Sequence, residues 1–185
     1  MNEGLLIARL VVGLLMAGHG SQKAFGWFGG YGLTGTGGFM ETLGFRPGRL
    51  FAAAAAYSEV VAGILIALGF LGPIGPALML SVMIVAAVTV HWKSGLFATS
   101  NGIELPLLYA TSAVVLALTG PGHWSLDALF GLEFLSTPLI ASTVLIAGAL
   151  GGFANWCADL SNGRAPISRK WTRLVPRTMR AIGVP

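Results

Sequence analysis

Five apolar segments, each close to the length that crosses a bilayer, constrain this chain more than any other feature. They cover residues 4–20, 50–71, 74–90, 103–119 and 138–157. A transmembrane helix needs about 17–25 predominantly apolar residues. Only 10% of the residues are charged, whereas soluble domains carry about 25%. The sequence therefore predicts an all-α membrane protein.

The segments predict one transmembrane domain over residues 1–157, in which four helices form the core and the last is a fifth, C-terminal span. Residues 158–185 are predicted to be a basic cytoplasmic tail, because a block of Lys and Arg next to a membrane helix is typical of a segment near anionic lipid. The basic residues are Arg164, Arg169, Lys170, Arg173, Arg177 and Arg180. Groups that would read or stack on bases are not apparent, so nucleic acid is not an expected partner.

Between the first two spans, residues 21–49 are rich in glycine and aromatic side chains. This composition favours a re-entrant or interfacial segment packed on the helices, with a plain loop carrying interfacial aromatics as the alternative.

The distribution of basic residues predicts the orientation. Lys23, Arg46 and Arg49 follow the first span, Lys93 follows the third, and the tail follows the fifth. With five spans these positions share one side, and the opposite side has no Lys or Arg. Loops rich in Lys and Arg stay in the cytoplasm. We therefore expect an outside N-terminus and a cytoplasmic C-terminus.

Two ionisable residues lie inside predicted spans, Arg9 in the first and Glu59 in the second. A charge at mid-membrane costs about 2.5–3.5 kcal/mol on insertion scales. The expected depths of the two residues differ by less than the reach of their side chains, which predicts a buried Arg9–Glu59 ion pair. The pair either fastens the two helices or forms the polar floor of a site.

A polar cluster is predicted at the cytoplasmic ends of the helices. His19 and Lys23 close the first span, His91 ends the third, and Glu104 opens the fourth. A carboxylate near histidines and a lysine suits proton-coupled quinone chemistry. The alternatives are a histidine near helix carbonyls, interface anchors, and a capping box between Asn101 and Glu104. Two histidines without a spacing motif predict no metal site.

On the opposite side, Ser125 and Asp127 lie in "GPGHWSLDALFG". Ser125 is predicted to cap a short interfacial helix, and Asp127 in its first turn suits the helix dipole. The single Cys157 excludes an intramolecular disulfide and a Cys-x-x-Cys redox pair.

Several stretches together resemble the DoxX family of small bacterial membrane proteins, over about residues 4–131. The stretches are "ARLVVGLLMAGHGSQKAFG", "FGGYGLTGTGGFMETLGF", "SEVVAGILIALGFLGPIGPALML" and "NGIELPLLYATSAVVLALTGPGHWSLD". The resemblance implies a four-helix membrane core in the bacterial inner membrane. It also implies an association with quinone-linked or oxidative-stress redox systems, because the family is named after subunits of a thiosulfate:quinone oxidoreductase.

Three functions follow as hypotheses. The first is a component of a quinone-linked redox system, as a subunit of a membrane oxidoreductase with quinone as the candidate cofactor. The second is a non-enzymatic anchor or scaffold for a soluble or membrane redox partner, with a homo-oligomer as a further arrangement. The third is a small-solute transporter, which the small number of helices and the lack of an evident inverted repeat disfavour.

Overall fold

The computed structural model describes residues 2–161, and the side chains of residues 2–157. The predicted basic tail therefore lies outside the described residues from position 162 onward. The described part is helical and contains no β-strand, which confirms the all-α prediction. Its α-helices are α1 (Asn2–Phe25), α2 (Gly32–Leu43), α3 (Gly48–Leu68), α4 (Ile74–Ala86), α5 (Glu104–Thr119), α6 (Leu126–Phe130) and α7 (Pro138–Ser161).

Four of the described helices are long and apolar enough to cross a membrane. They are α1, α3, α4 with its continuation to Ser94, and α7. α5 has 16 residues, which at 1.5 Å per residue gives about 24 Å, somewhat less than the roughly 30 Å hydrocarbon core. Large apolar side chains point outward along these helices, including Leu14, Ile64 and Ile146. The chain is a multi-pass membrane protein whose outer faces contact lipid.

The observed helices differ from the apolar segments in two places that position functional groups. α1 continues to Phe25, so that Lys23 lies within the helix rather than after it. α4 passes into a π-helical turn over Ala87–His91 and a 3-10 turn over Trp92–Ser94. Residues 21–49 contain a helix of their own, α2, which packs against α1 and α3.

The four-helix core consists of α1, α3, α4 and α5. α1 packs on α3, α3 on α4, and α4 on α5, around a cluster that includes Met16, Met79 and Leu116. α7 lies outside this core, mainly against α4, where Gly148 faces Ala77 and Gly152 faces Ser81. Small residues let membrane helices approach closely. α7, the last of the five apolar helices along the chain, is thus an addition to a four-helix core.

Candidate functional site

Glycine residues bring α1 and α3 into close antiparallel contact. Gly13 faces Gly63, and Gly20 faces Ala56. A Cβ atom added to Gly20 would lie 2.6 Å from the Ala56 carbonyl oxygen, which leaves no room for a side chain. The contact buries one charged group near each end, because Arg9 is 3% exposed and Glu59 is 1% exposed.

We name the first of these groups, with its surroundings, the Arg9 centre. The Arg9 guanidinium donates a hydrogen bond to the Trp124 carbonyl and is attracted by the Asp127 carboxylate. One of its terminal nitrogens lies over Gly69, where any side chain would collide with it. Its Nε and Nη1 atoms are buried without a hydrogen-bond partner among the described residues. The Arg9 centre therefore connects α1 with the turn after α3 and with the segment before α6.

Asp127 holds the Arg9 centre together, and its side chain is fully buried. Its Oδ1 accepts a hydrogen bond from Leu71 N at 2.8 Å, and its Oδ2 accepts one from Gly72 N at 2.6 Å. Its own backbone N–H donates to the Gly69 carbonyl at 3.1 Å. The sequence prediction for Asp127 reached only its place in the first turn of α6. In the fold, the carboxylate also fixes the α3–α4 turn and supplies the charge opposite Arg9.

The neighbouring prediction for Ser125 is confirmed. Ser125 is the N-cap of α6, where its Oγ accepts from Ala128 N at 3.1 Å and donates to the Gly122 carbonyl at 2.6 Å. Capping satisfies an N–H group that the first helical turn leaves without a partner.

The predicted Arg9–Glu59 ion pair is wrong, and the α1–α3 register explains why. Because Gly63 faces Gly13 and Ala17, and Gly20 faces Ala56 and Val60, Glu59 lies level with the segment of α1 between Ala17 and Gly20. Arg9 is at least eight residues from this segment, which is about 12 Å or more at 1.5 Å per residue. Side chains on a helix also lean toward its N-terminus. In this antiparallel pair, Arg9 and Glu59 therefore lean away from each other.

Glu59 instead forms an ion pair with Lys23. This is the one ion pair that the structure gives for the Glu59 carboxylate. Lys23 Nζ contacts Glu59 Oε1, and the two side chains lean toward each other from opposite helices. The Lys23 side chain is 34% exposed, whereas that of Glu59 is 1% exposed. Glu59 Oε2 is buried and has no hydrogen-bond partner among the described residues. A buried carboxylate thus retains one vacant acceptor atom.

Two further side chains complete what we name the Glu59 centre: Lys23, Glu59, His19 and Tyr109. His19 lies exposed on α1, with its ring centroid 5.9 Å from that of Tyr109 at an interplanar angle of 85°. Tyr109 lies on α5, packs against the core cluster, and is within electrostatic range of Glu59. The centre therefore joins a surface histidine, a phenol, a buried carboxylate and an ammonium group.

The other two predicted members of the polar cluster make their contacts elsewhere. His91 Nδ1 contacts the Asn101 carbonyl at 2.8 Å, and Glu104 Oε2 accepts from Ala98 N at 2.7 Å. Both interactions close the connection between α4 and α5. The capping box is also wrong, because Asn101 is left-handed and Ile103 is the N-cap of α5. The fold thus divides the four residues between the Glu59 centre and this connection.

The described residues contain no group of three or more His, Cys, Asp or Glu that could hold a metal ion. A cavity of about 690 Å³ lies near the Arg9 centre, lined by apolar residues of α1, α3 and α6 together with His123, Trp124 and Ser125. This cavity is at the opposite end of α1 from Lys23.

Sequence reasoning did not identify Tyr109 or the Arg9–Asp127 attraction. Tyr109 is the one tyrosine inside the fourth apolar segment, "ELPLLYATSAVVLALT". A phenol hydroxyl in a span needs a polar neighbour, and that requirement was the available signal. Asp127 could have been linked to Arg9 from the predicted topology. It is an acidic residue beside a Gly-rich turn, on the same side of the membrane as the start of α1.

Comparison with known proteins agrees with the resemblance seen in the sequence. The DoxX family model matches residues 4–92, which include Arg9, His19, Lys23 and Glu59. Tyr109, Glu104 and Asp127 lie beyond the matched residues. No significant match was found among the curated proteins or the solved structures. The matched residues run from the first turn of α1 to just past α4, nearly half of the chain, and this match supports membership of the DoxX family.

Proposed function

We propose that this protein is the membrane-embedded component of a quinone-linked redox system, in which Glu59 accepts a proton. One observation carries the proposal. Glu59 is 1% exposed, holds Lys23 with one carboxylate oxygen, and has no partner for the other among the described residues. Ionisable groups inside a membrane are costly and mark proton and ion pathways. A carboxylate kept there with a vacant oxygen is suited to taking up and releasing a proton.

The residues of the Glu59 centre fit a quinone headgroup. His19 and Lys23 are N–H donors of the kind that a quinone carbonyl accepts, and both reach the surface of the helix bundle. Reduction of a bound quinone takes up protons together with electrons. In this proposal Glu59 accepts a proton at Oε2 and passes it on, and Lys23 balances the carboxylate charge once the proton has left. In this proposal His91 and Glu104 do not contact the quinone. They fix the α4–α5 connection and hence the start of α5, the helix that carries Tyr109.

We further infer that the Glu59 centre lies toward the cytoplasm of a bacterial inner membrane. Four basic residues belong to this end of the bundle: Lys23, Arg46, Arg49 and Lys93. The opposite end, at the start of α1, carries Glu3, Asp127 and Glu133. The excess of Lys and Arg favours a cytoplasmic location for its end. This supports an outside N-terminus and a cytoplasmic C-terminus, which fusions of a reporter to each terminus would test.

The test of function combines ligand identification with redox measurements. The full chain is purified in mild detergent and its bound lipids are identified by mass spectrometry. Membranes carrying wild type, Glu59→Gln or Glu133→Gln are then compared for quinone-dependent electron transfer. Glu133 is an exposed carboxylate at the opposite end, so its variant is a matched control. We expect copurified quinone, and we expect a lower rate for Glu59→Gln alone, because general acid–base groups contribute about 10²–10⁴-fold.

Absence of copurified quinone together with unchanged electron transfer in Glu59→Gln would overturn the proposal. Retention of a soluble partner under those conditions would favour the anchor or scaffold function. Glu59-dependent uptake of a solute into vesicles would favour transport.

A further inference from the structure

We propose that His19 and Tyr109 form the path by which protons reach the buried Glu59 carboxylate from the surface. The inference rests on the proposed function, because it takes Glu59 to be the proton acceptor. It gives His19 a second role and adds Tyr109, which lies outside the part of the chain that matches the family model.

The first half of the path is a direct ring contact. His19 is exposed on α1, and its ring lies edge-on to Tyr109 with 5.9 Å between the centroids. Histidine is a common proton-transfer group in proteins, and its exposed ring has access to water. A surface imidazole in contact with a phenol is therefore in position to transfer protons inward.

The second half of the path joins Tyr109 to Glu59. Tyr109 packs against the core cluster that contains Met16 and Ala62, and Ala62 is one turn from Glu59 on α3. No direct hydrogen bond joins the Tyr109 hydroxyl to Glu59, because Glu59 Oε2 has no partner among the described residues. Lys23 occupies Oε1, so that Oε2 is the oxygen free to receive a proton. Among the described residues, Lys23 from α1 pairs with Glu59, and Tyr109 from α5 lies within electrostatic range of it.

The transfer conserves protons and involves no change in oxidation state. The Tyr109 hydroxyl passes its proton to Glu59 Oε2 through a bridging water, because no direct hydrogen bond joins them, and accepts a proton from the His19 imidazolium, also through water. His19 then takes a proton from the surrounding water. One proton has moved from solution to the carboxylate, and His19 and Tyr109 have returned to their starting states.

The test measures the protonation of Glu59 directly, without any redox partner. The full chain in lipid nanodiscs is subjected to a rapid drop in pH, and the carboxylic acid C=O band is followed by infrared spectroscopy. Glu59→Gln identifies the band by removing it. Tyr109→Phe and His19→Gln remove the proposed groups, and Tyr57→Phe and His123→Gln are matched controls. Tyr57 lies exposed on α3 beside Phe25. His123 lines the cavity near Leu6, at the N-terminal end of α1 and away from the Glu59 centre.

We expect Tyr109→Phe and His19→Gln to slow the protonation of Glu59 by about 10-fold or more, within the range of general acid–base groups. Both controls should react at the wild-type rate. Phenylalanine preserves the ring packing of Tyr109, and circular dichroism confirms that each variant is folded.

Wild-type rates in Tyr109→Phe and His19→Gln would overturn the proposed path. If Lys23→Met alone slows the reaction, the proton enters through the partly exposed ammonium group instead. These measurements do not depend on quinone. The proposed path can therefore fail while the proposed function survives, and the proposed function can fail while the path survives. Normal Glu59 protonation in a protein without quinone-dependent activity would leave the path standing and refute the redox role.

Discussion

Replacement of Gly20 by alanine offers the most direct test of how the α1–α3 contact positions the Glu59 centre. A Cβ atom at this position would lie 2.6 Å from the Ala56 carbonyl oxygen and 2.7 Å from Val60 N, whereas ordinary contact begins at 3.4 Å. Both obstacles are backbone atoms, which cannot turn aside as a side chain does. α1 must therefore move from α3 by roughly 0.8 Å at this level, and Lys23 lies in the next turn of the same helix.

Gly18 provides the matched control, because a Cβ atom there would meet nothing within 4 Å. Overpacking of a closely packed contact costs about 1–3 kcal/mol. Glycine to alanine in a helix also gains up to about 1 kcal/mol from helix propensity. Both variants gain this second amount, so it cancels in their comparison. We expect Gly20→Ala to be less stable than Gly18→Ala by about 1–3 kcal/mol.

The free energy of unfolding is measured for wild type and both variants by titration of mixed detergent micelles with a denaturing detergent, followed by circular dichroism. The infrared band of Glu59 reports in parallel whether displacement of α1 alters its pairing with Lys23. Equal stability of Gly20→Ala and Gly18→Ala would refute the reasoning, because it would mean that α1 and α3 do not approach at Gly20.

Three further predictions concern charged side chains and their hydrogen-bond or ion-pair partners. Lys23→Met should lower the free energy of unfolding by about 2–3 kcal/mol, because it leaves Glu59 without its ammonium partner. Adding Glu59→Gln to this variant should recover most of that loss. Equal losses in the single and double variants would contradict this prediction. Asp127→Asn should cost about 1.5–3 kcal/mol, because an amide nitrogen cannot accept from a backbone N–H and Arg9 loses its opposite charge. A double-mutant cycle with Arg9→Met should show non-additive losses, whereas additive losses would show that the two groups act independently. Glu104→Gln should keep the α4–α5 connection but weaken the bond from Ala98 N, by about 0.5–1.5 kcal/mol, and leave the Glu59 infrared band unchanged.

The apolar segments were sufficient to predict the helices, because backbone groups in lipid must be satisfied within a helix and a span of fixed thickness needs a fixed length. The fifth helix follows from the same reasoning. The extension of α1 to Phe25 did not, because polar residues from Ser21 to Lys23 interrupt the apolar run while remaining compatible with a helix that leaves the hydrocarbon.

The sequence by itself also determined that Arg9 and Glu59 require partners, since an isolated charge in a membrane span is costly wherever it lies. Only the tertiary structure decided which partners they have. The choice depends on the register in which Gly13 and Gly20 pack on α3, and on side chains that lean toward the N-terminus of their own helix. These two features separate Arg9 from Glu59, place Lys23 on Glu59, and bring Asp127 to Arg9 across more than a hundred residues of sequence. The depth of a residue in the membrane can be counted along its own helix. The register of two helices, and whether their side chains lean toward or away from each other, depends on how the two helices pack.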